Sequence, residues 1–395
     1  MMQYAGLIAP CLIPIAYLVL SFLAFHIALH AKKERIRFWV LPVYYWFSIL
    51  SFIESKHLHI LPGLTSLWAQ STALNIVHVT SLLLIDRWPA PPLDQSKKKQ
   101  TCISTRAFYI TYRLWSNPRL LPIQVSNNPA AEKHTVEPLS VFIILRIAKD
   151  VAQPTHLVDL TARDILVRAY SAGSWIWESF AALDGSNAVL AIIAVLFGLD
   201  EPSDWPPLFG SPVHVCYGLR GFWSGFWHRL AVRSYSNVGR LIARSLGLIP
   251  SRKVGRVDKG GKGVRGVGKG SWKWEWKGKC ADTVVAFIAF TISGLSHAAV
   301  SWRLGASDYW RDGLWFMLNF AACALETGLK GAVRWAAERL GWEKELSAIE
   351  RSWLGKVMGF MWVSVFFSWS VPLWSWPRVY RGLVAERLMR MLMNA

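Results

Sequence analysis

Charged residues are scarce in this sequence. Asp, Glu, Lys and Arg make up 17% of its 395 residues, whereas soluble globular chains carry about 25%. Hydrophobic residues make up 53%, and 23 residues are Trp. The low charge excludes an ordinary soluble domain, and so many Trp are typical of a chain that lines two membrane–water interfaces.

Cysteine is also scarce, which excludes two further classes of protein. The five cysteines are scattered and form no CxxC pair, so neither a disulfide framework nor a zinc site of known spacing is present in the sequence. They are Cys11, Cys102, Cys216, Cys280 and Cys323. His57 and His59 alone are too few for a metal site. We therefore expect no bound metal and no bound cofactor.

A phosphate-binding loop is absent as well. "GKGVRG" (261–266) matches GxGxxG, and "GVRGVGKG" (263–270) differs from a Walker A loop by Gly270 in the place of Ser or Thr. Neither follows a buried strand, which both motifs require. The surrounding residues 251–279 hold ten Lys or Arg. They are interpreted as a flexible basic linker that lies near anionic lipid headgroups or attracts a polyanionic ligand.

Long apolar segments are what the chain does have. A membrane span needs about 20 mostly apolar residues, and roughly eight segments qualify. They are 5–30, 36–53, 64–85, 160–182, 186–200, 280–303, 310–330 and 353–375. The first has no basic region before it and is interpreted as a retained span rather than a cleaved signal. The prediction is an all-α polytopic membrane protein with one membrane domain over 1–395.

The net charge of +19 does not indicate nucleic-acid binding, because its location points to the membrane. With eight spans, the basic clusters at 32–37, 97–99, 251–279 and 330–352 all fall on one side. The positive-inside rule makes that side cytosolic and places the N-terminus across the membrane. Two insertions, 86–158 and 200–279, are then cytosolic. The basic C-terminus does not fit this arrangement and leaves a ninth or re-entrant segment open.

One stretch of the second insertion, "LRGFWSGFWHRL", predicts a cytosol-side amphipathic or re-entrant helix over 219–233. Its apolar stripe has the helical spacing i, i+3, i+4, i+7, i+8, i+11. The stripe consists of Leu219, Phe222, Trp223, Phe226, Trp227 and Leu230. The opposite face carries small residues beside His228. Such a face forms either a notch for a ligand or a contact with another helix.

A second histidine, His297, lies inside the span 280–303. Ser293, Gly294 and Ser301 share its face or lie close to it. An ionisable residue within a span usually faces the bundle interior or a wet cavity, and an imidazole can take and return a proton near neutral pH. The alternative is a histidine that only hydrogen-bonds to a neighbouring helix.

Other ionisable residues lie in or near apolar segments. His26, His30 and His78 lack the small polar surroundings of His297 and are interpreted as packing residues. Glu178 and Glu326 are at or near membrane depth, where either could orient a histidine or line a polar tunnel.

The two histidine segments together resemble the membrane-bound O-acyltransferase superfamily, whose sterol and diacylglycerol branches carry F-Y-x-D-W-W-N. Residues 222–228 place aromatics in all four aromatic positions but have Gly225 for the acid and His228 for the final Asn. The wax synthase-like branch is closer: "WPPLFGSP" (205–212), "LRGFW..FWH" (219–228) and "SGLSH" (293–297) occur in its order. Fungal members that acetylate terpenoid or meroterpenoid hydroxyls look most similar.

The resemblance implies transfer of an acyl group from acyl-CoA, here acetyl-CoA as co-substrate, to an apolar alcohol. It implies His297 as general base and His228 as a residue that polarises the thioester or holds the donor. Substrate or CoA contacts are then expected from Phe222, Trp223, Ser224, Trp227, Arg220, Arg229 and Ser293. Arg220 and Arg229, with Arg233, either bind phosphates or extend to lipid headgroups. The implied location is the endoplasmic reticulum membrane with the active-site loop facing the cytosol.

Two alternatives remain open at this point. One is a long-chain wax-ester or diacylglycerol acyltransferase, which differs in donor length. The other is a membrane transporter without acyl transfer, which predicts pseudo-symmetric halves with interrupted helices. No such symmetry stands out in the sequence.

Overall fold

A computed structural model describes residues 2–31, 33–59, 63–86, 105–118, 161–249 and 272–393. Within these ranges the chain forms helices joined by turns, and no strand occurs. This confirms the all-α prediction. The longer helices are α1 (Met2–His30), α2 (Glu34–Glu54), α3 (Leu64–Thr80), α4 (Thr105–Ser116), α5 (Ala162–Leu196), α6 (Val232–Ser245), α7 (Trp272–Arg303), α8 (Trp310–Leu340), α9 (Glu343–Arg351) and α10 (Trp353–Met393).

Six of the described helical segments are long and apolar enough to cross a membrane, which confirms a multi-pass membrane protein. They are Pro10–His30, Glu34–Leu58, Leu64–Ile85, Ala162–Leu196, Cys280–Arg303 and Trp353–Gly382. The predicted span 310–330 lies within α8, which is not among the six. Polar and charged residues such as Asp312, Asn319 and Glu326 reduce the hydropathy of that helix.

The predicted spans 160–182 and 186–200 are wrong as separate elements, because both lie in the single helix α5. The gap between the two predicted spans, 183–185, contains Asp184 and Gly185 and is helical. A helix tolerates such residues, since even an interior glycine costs only about 1 kcal/mol relative to alanine. The capping box at Thr161 and Asp164 fixes where this helix begins.

Because these two predicted spans form one helix, the positive-inside rule no longer assigns every basic cluster to the cytosolic side. The insertions 86–158 and 200–279 are now separated by one helix, so the spans no longer place all the basic clusters on one side. Within the first insertion, 86–158, the structure describes residue 86 and residues 105–118, which include α4. Of the second, it describes 200–249 and 272–279, which open α7 and are helical rather than part of a flexible linker; 250–271 lie outside the described residues.

The chain divides into two compact units, and one of the boundaries falls directly after Arg229, between the two predicted histidine segments. The first unit comprises Met1–Leu121 and Leu230–Phe320, and the second comprises Pro122–Arg229 and Ala321–Ala395. In the first, α1 packs along α2 and α6 packs along α7. In the second, α5 packs along α10.

The core of the first unit explains three histidines that the sequence places in apolar segments. His26 shares a 2.6 Å hydrogen bond with Thr111, and His30 lies 3.1 Å from the same hydroxyl. His78 is fully buried and bonds to the Leu114 carbonyl at 2.8 Å. All three tie α1 or α3 to α4, which agrees with their interpretation as packing residues.

Candidate active site

The aromatic segment, defined here as residues 219–228, is not the first part of one long helix. One helical turn at Leu219–Gly221 continues into a π-helical turn at Phe222–Phe226, and Trp227 is extended with ψ 151°. The Trp227 N–H donates to the Phe222 carbonyl at 2.8 Å, which closes the wider turn. A separate helix, α6, begins at Val232. The predicted helix over 219–233 is therefore interrupted before His228.

The large rings of the aromatic segment are buried in the second unit. Trp227 stacks on Trp175 of α5 at 5.0 Å between ring centroids, and Phe222 lies 4.6 Å from Phe367 of α10. Phe222 and Trp227 are 2% and 8% exposed. Pairs of this kind contribute about 0.5–1.5 kcal/mol each beyond the area that they bury. The apolar stripe thus anchors the segment on α5 and α10, whereas Trp223 stays half-buried.

The small residues of the segment pack against another part of the backbone rather than opening a notch. A Cβ atom at Gly221 would overlap the Val215 carbonyl oxygen, and one at Gly225 would lie 2.9 Å from Val215 Cβ. Val215 ends the helical turn Pro212–Val215 just before the segment. The Gly210 N–H also donates to the Phe226 carbonyl at 2.9 Å. The face interpreted as either a ligand notch or a packing contact is therefore a packing contact.

A buried carboxylate holds the start of the aromatic segment. Glu326 of α8 is 8% exposed, and its Oε2 accepts the Leu219 N–H at 2.7 Å. Oε2 also accepts a hydrogen bond from the Trp362 indole N–H at 3.1 Å, and Oε1 accepts one from the Lys330 ammonium at 2.7 Å. Gly218 is needed beside it, because a Cβ there would overlap the carboxylate. The only sequence signal for this role is an acidic residue in an otherwise apolar stretch.

His228 follows the extended Trp227 and is half-buried in the second unit. Its ring lies 5.6 Å from the Trp227 ring and 5.9 Å, edge-on, from the Phe209 ring. Phe209 belongs to the "WPPLFGSP" stretch. Two of the three stretches that carry the resemblance, 205–212 and 219–228, thus meet around this imidazole, and their aromatic rings pack beside it.

The cationic residues near the segment fall into two groups. Arg220 and Arg229 are exposed, and so is Ser224, whose hydroxyl donates to the Arg220 carbonyl at 2.7 Å. Arg233 instead donates to the Asp86 carboxylate at 2.6 Å within the first unit. Asn237 donates to the same carboxylate at 3.1 Å. Arg233 is therefore a structural ion-pair residue, whereas Arg220 and Arg229 present their charge at the surface.

His297 lies on α7 in the first unit and is half-buried. Its ring stacks on Phe316 of α8 with 4.8 Å between centroids and 24° between planes. Gly294 permits this contact, because a Cβ there would lie 3.0 Å from Phe316 Cβ and 3.1 Å from Gly313 Cα. The glycine of "SGLSH" thus brings α7 close to α8, and Phe316 then fixes the plane of the imidazole.

Polar residues surround the same part of α7. The Ser296 hydroxyl donates to the Ile292 carbonyl at 2.8 Å and shares a 3.3 Å hydrogen bond with the Tyr235 hydroxyl. Burial raises the pKa of Tyr235, so this phenol stays protonated at neutral pH. Ser293 is half-buried one turn before His297. One turn after it, Ser301 donates to the buried Asp312.

The structure gathers most of the predicted residues, but in two groups. Phe222, Trp223, Trp227 and His228 lie together in the second unit, and Ser293 and His297 lie on α7 in the first. Sequence reasoning assigned no role to Phe316, and it left the role of Glu326 open. Within the described ranges, no group of three or more His, Cys, Asp or Glu could hold a metal ion.

Comparison with known proteins covers the same segments. Residues 205–319 match the membrane bound O-acyl transferase family, a range that includes both His228 and His297. This match over part of the chain confirms the resemblance. No solved structure matches the chain.

Several fungal acetyltransferases are similar to the chain. Acetyltransferase ple2 of Rhodocybe pseudopiperita is 25% identical over 54% of this chain and 48% of its own length. Acetyltransferase atnC of an Arthrinium species is 29% identical, over 56% and 43%. Acetyltransferase fsoF of Humicola fuscoatra is 27% identical, over 69% and 64%. The chain thus spans between about two fifths and two thirds of the length of these curated relatives.

Proposed function

We propose that this protein transfers an acetyl group from acetyl-CoA to a hydroxyl of an apolar, terpenoid-type secondary metabolite. The observation that carries the proposal is His297, a half-buried imidazole held by Phe316 inside an apolar helix of the matched family segment. The names of the similar fungal proteins favour acetyl as the transferred group.

His297 acts as the general base in this proposal. One ring nitrogen takes the proton of the acceptor hydroxyl while the oxygen attacks the thioester carbon. The C–S bond then breaks, and the departing CoA thiolate receives the proton from the imidazolium. No acyl-enzyme is formed. A well-placed base typically contributes about 10²–10⁴ in rate, and the fixed plane of the ring supplies the required orientation.

His228 has a supporting role at the donor. A neutral imidazole N–H donates a hydrogen bond as the amide of Asn does, so it can polarise the thioester carbonyl or hold the acyl chain. The aromatic walls formed by Phe209 and Trp227 limit the motion of this ring. Trp223, half-buried in the same segment, then borders the donor.

The cations beside the aromatic segment bind the phosphates of CoA. Arg220 and Arg229 are exposed and therefore available to a polyanion. Acyl-CoA is a cytosolic metabolite, so this segment and the insertion 200–279 face the cytosol. The acceptor is apolar and enters from the bilayer, and the membrane is that of the endoplasmic reticulum.

Release of CoA by microsomes tests the proposal directly. Microsomes containing the protein are supplied with acetyl-CoA or palmitoyl-CoA, with and without a terpenoid alcohol. We expect acceptor-dependent CoA release from acetyl-CoA and formation of the acetate ester. Preference for palmitoyl-CoA would instead favour a wax-ester or diacylglycerol acyltransferase. No release from either donor would contradict acyl transfer and favour a transporter.

A His228→Asn variant tests the donor-side role in the same assay. Because Asn supplies the same type of N–H donor, we expect activity to be retained. Complete loss at equal protein level would show that position 228 needs an imidazole, and it would overturn the role as a simple hydrogen-bond donor.

A further inference from the structure

A groove in the second unit lies along the C-terminal half of α5. It has a volume of about 500 Å³, within the range of small-molecule sites. Its floor is one continuous stripe of the helix, at positions 184, 187, 188, 191, 192, 195 and 196. Its wall is the turn that carries Pro202, Trp205 and Pro207. The site residues described above do not line it.

The wall of the groove is held rigidly. The Glu201 N–H donates to the Asp204 carboxylate at 3.0 Å, which closes the turn at Pro202. The Trp205 indole N–H donates to Asp200 at 3.2 Å, so the ring has a fixed orientation. Ala188 and Ala191, which line the same groove, have only a methyl group each as side chain. The groove is therefore built into the fold at the start of the matched family segment.

The chemistry of the floor is apolar with one polar end. Ala188, Ala191, Ile192 and Val195 present hydrocarbon, whereas Asp184 and Asn187, three residues apart, lie on one helix face. Asp184 is 12 residues before Leu196, or about 18 Å along the axis. A span that ends near Leu196 therefore places this carboxyl within a hydrocarbon core about 30 Å thick. An ionisable group at that depth usually marks a functional site.

We infer that this groove binds the acceptor alcohol, an apolar polycyclic or isoprenoid molecule about 18 Å long that carries a second oxygen function. The hydrocarbon body lies along Ala188, Ala191 and Val195 under Trp205. Asp184 and Asn187 hydrogen-bond the oxygen at its far end. Identification of the ligand as the acceptor rests on the proposed function, whereas the existence of the site does not.

Photolabelling tests the site without requiring turnover. The full chain in lipid nanodiscs is irradiated with a diazirine-bearing terpenoid diol, and the labelled peptides are identified by mass spectrometry. We expect labelling within 184–207 and competition by the unlabelled diol. In Ala191→Phe, whose ring fills the floor, labelling should fall about tenfold. Ile193→Phe is the matched control, because Ile193 is 45% exposed and lies outside the groove.

The polar end has its own pair of variants. Asp184→Leu should weaken labelling by the diol about tenfold, the effect of losing one hydrogen bond to a charged group. Labelling by the corresponding hydrocarbon should be unchanged. Glu178→Leu removes a carboxylate from the same helix outside the groove and should change neither. In turnover assays, Ala191→Phe should raise KM for the alcohol and leave KM for acetyl-CoA unchanged.

The outcomes separate this inference from the proposed function. Labelling outside 184–207, or equal labelling of Ala191→Phe and wild type, would overturn the groove even if acetyl transfer occurs. Labelling in the groove without any acetyl transfer would show that the binding site exists but that its ligand is not an acetyl acceptor.

Discussion

The Oε2 atom of Glu326 lies 2.7 Å from the backbone nitrogen of Leu219, which ties the first turn of the aromatic segment to α8. Trp362 and Lys330 donate to the same carboxylate. One buried side chain thus fixes where the aromatic segment begins. The positions of Phe222, Trp227 and His228 follow from this contact and from their stacking on α5 and α10.

Replacing Glu326 by Ala should loosen the aromatic segment. The Leu219 N–H would lose its acceptor inside the protein, and we expect a loss of about 1.5–3 kcal/mol in stability together with a fall in kcat. Glu326→Gln keeps a carbonyl oxygen for Leu219 and should restore most of both. The measurements are the midpoint of thermal unfolding in detergent and the rate of acetyl transfer. Glu338 is exposed on the same helix, so Glu338→Ala should change neither the unfolding midpoint nor the rate. If Glu326→Ala and Glu326→Gln had the same midpoint and rate, the positioning role of Glu326 would be contradicted.

The glycines of the aromatic segment should differ in how they can be rescued. Gly225→Ala places its Cβ against the Val215 side chain, whereas Gly221→Ala places it against the Val215 carbonyl. Both should lower the midpoint of thermal unfolding. Adding Val215→Gly removes the Cβ and both Cγ atoms that meet the new methyl group at 225, so it should rescue Gly225→Ala, whereas the Val215 carbonyl that meets the new methyl group at 221 remains.

A glycine outside this contact provides the control. Gly173 of α5 has no atom within 4 Å of an added Cβ. Gly173→Ala should be neutral or stabilise the helix by about 0.5–1 kcal/mol. Rescue of both segment variants by Val215→Gly, or of neither, would show that the Val215 side chain does not fill this face.

Two neighbouring arginines should behave differently when neutralised. Arg229→Gln removes an exposed charge and should raise KM for acetyl-CoA, with the difference from wild type shrinking as salt concentration increases. Arg233→Gln removes the partner of Asp86 and should mainly lower thermal stability. The paired measurements are donor KM across a salt series and unfolding midpoint. A donor KM that rises for Arg233→Gln but not for Arg229→Gln would reverse the assignment.

Cys216 should be unreactive in the folded protein. It is 3% exposed, and burial raises the pKa of its thiol to about 11. Because the thiolate is the nucleophile, little reactive form exists near pH 7, and the reactive fraction grows as pH rises toward that pKa. Peptide mapping after maleimide treatment should find Cys216 unmodified in the native protein and modified after denaturation. Rapid labelling of the native protein near neutral pH would show that the preceding turn is open.

The periodicity of the sequence predicts much of this architecture. Apolar runs indicate the membrane helices, and helical spacing correctly groups Phe222, Phe226 and Trp227 as a buried stripe. His297 is distinguished from His26 and His78 by its small polar neighbours, and the structure gives the latter two hydrogen-bonded packing roles. These features depend on local pattern, which is what a periodicity argument measures.

Features that depend on tertiary contacts were not predictable in this way. The aromatic segment becomes extended at Trp227 because Gly221 and Gly225 pack against Val215 and Trp227 stacks on Trp175. The polar stretch that begins at Asp184 separates two apolar runs in the sequence, but the helix is continuous there, and Asp184 and Asn187 line a groove on it. Phe316 gives no signal of its own, since only the approach of α7 to α8 at Gly294 places its ring on His297.

The central claim is that His297 removes the proton of the acceptor hydroxyl, and one measurement tests it most directly. Acetyl ester formation from acetyl-CoA and a terpenoid alcohol is compared between wild type and His297→Ala at equal protein level in microsomes. Loss of a general base typically costs about 10²–10⁴ in rate, so the variant should retain well under about a tenth of wild-type turnover. Turnover above about a tenth of wild type would contradict the assignment of His297 as the base.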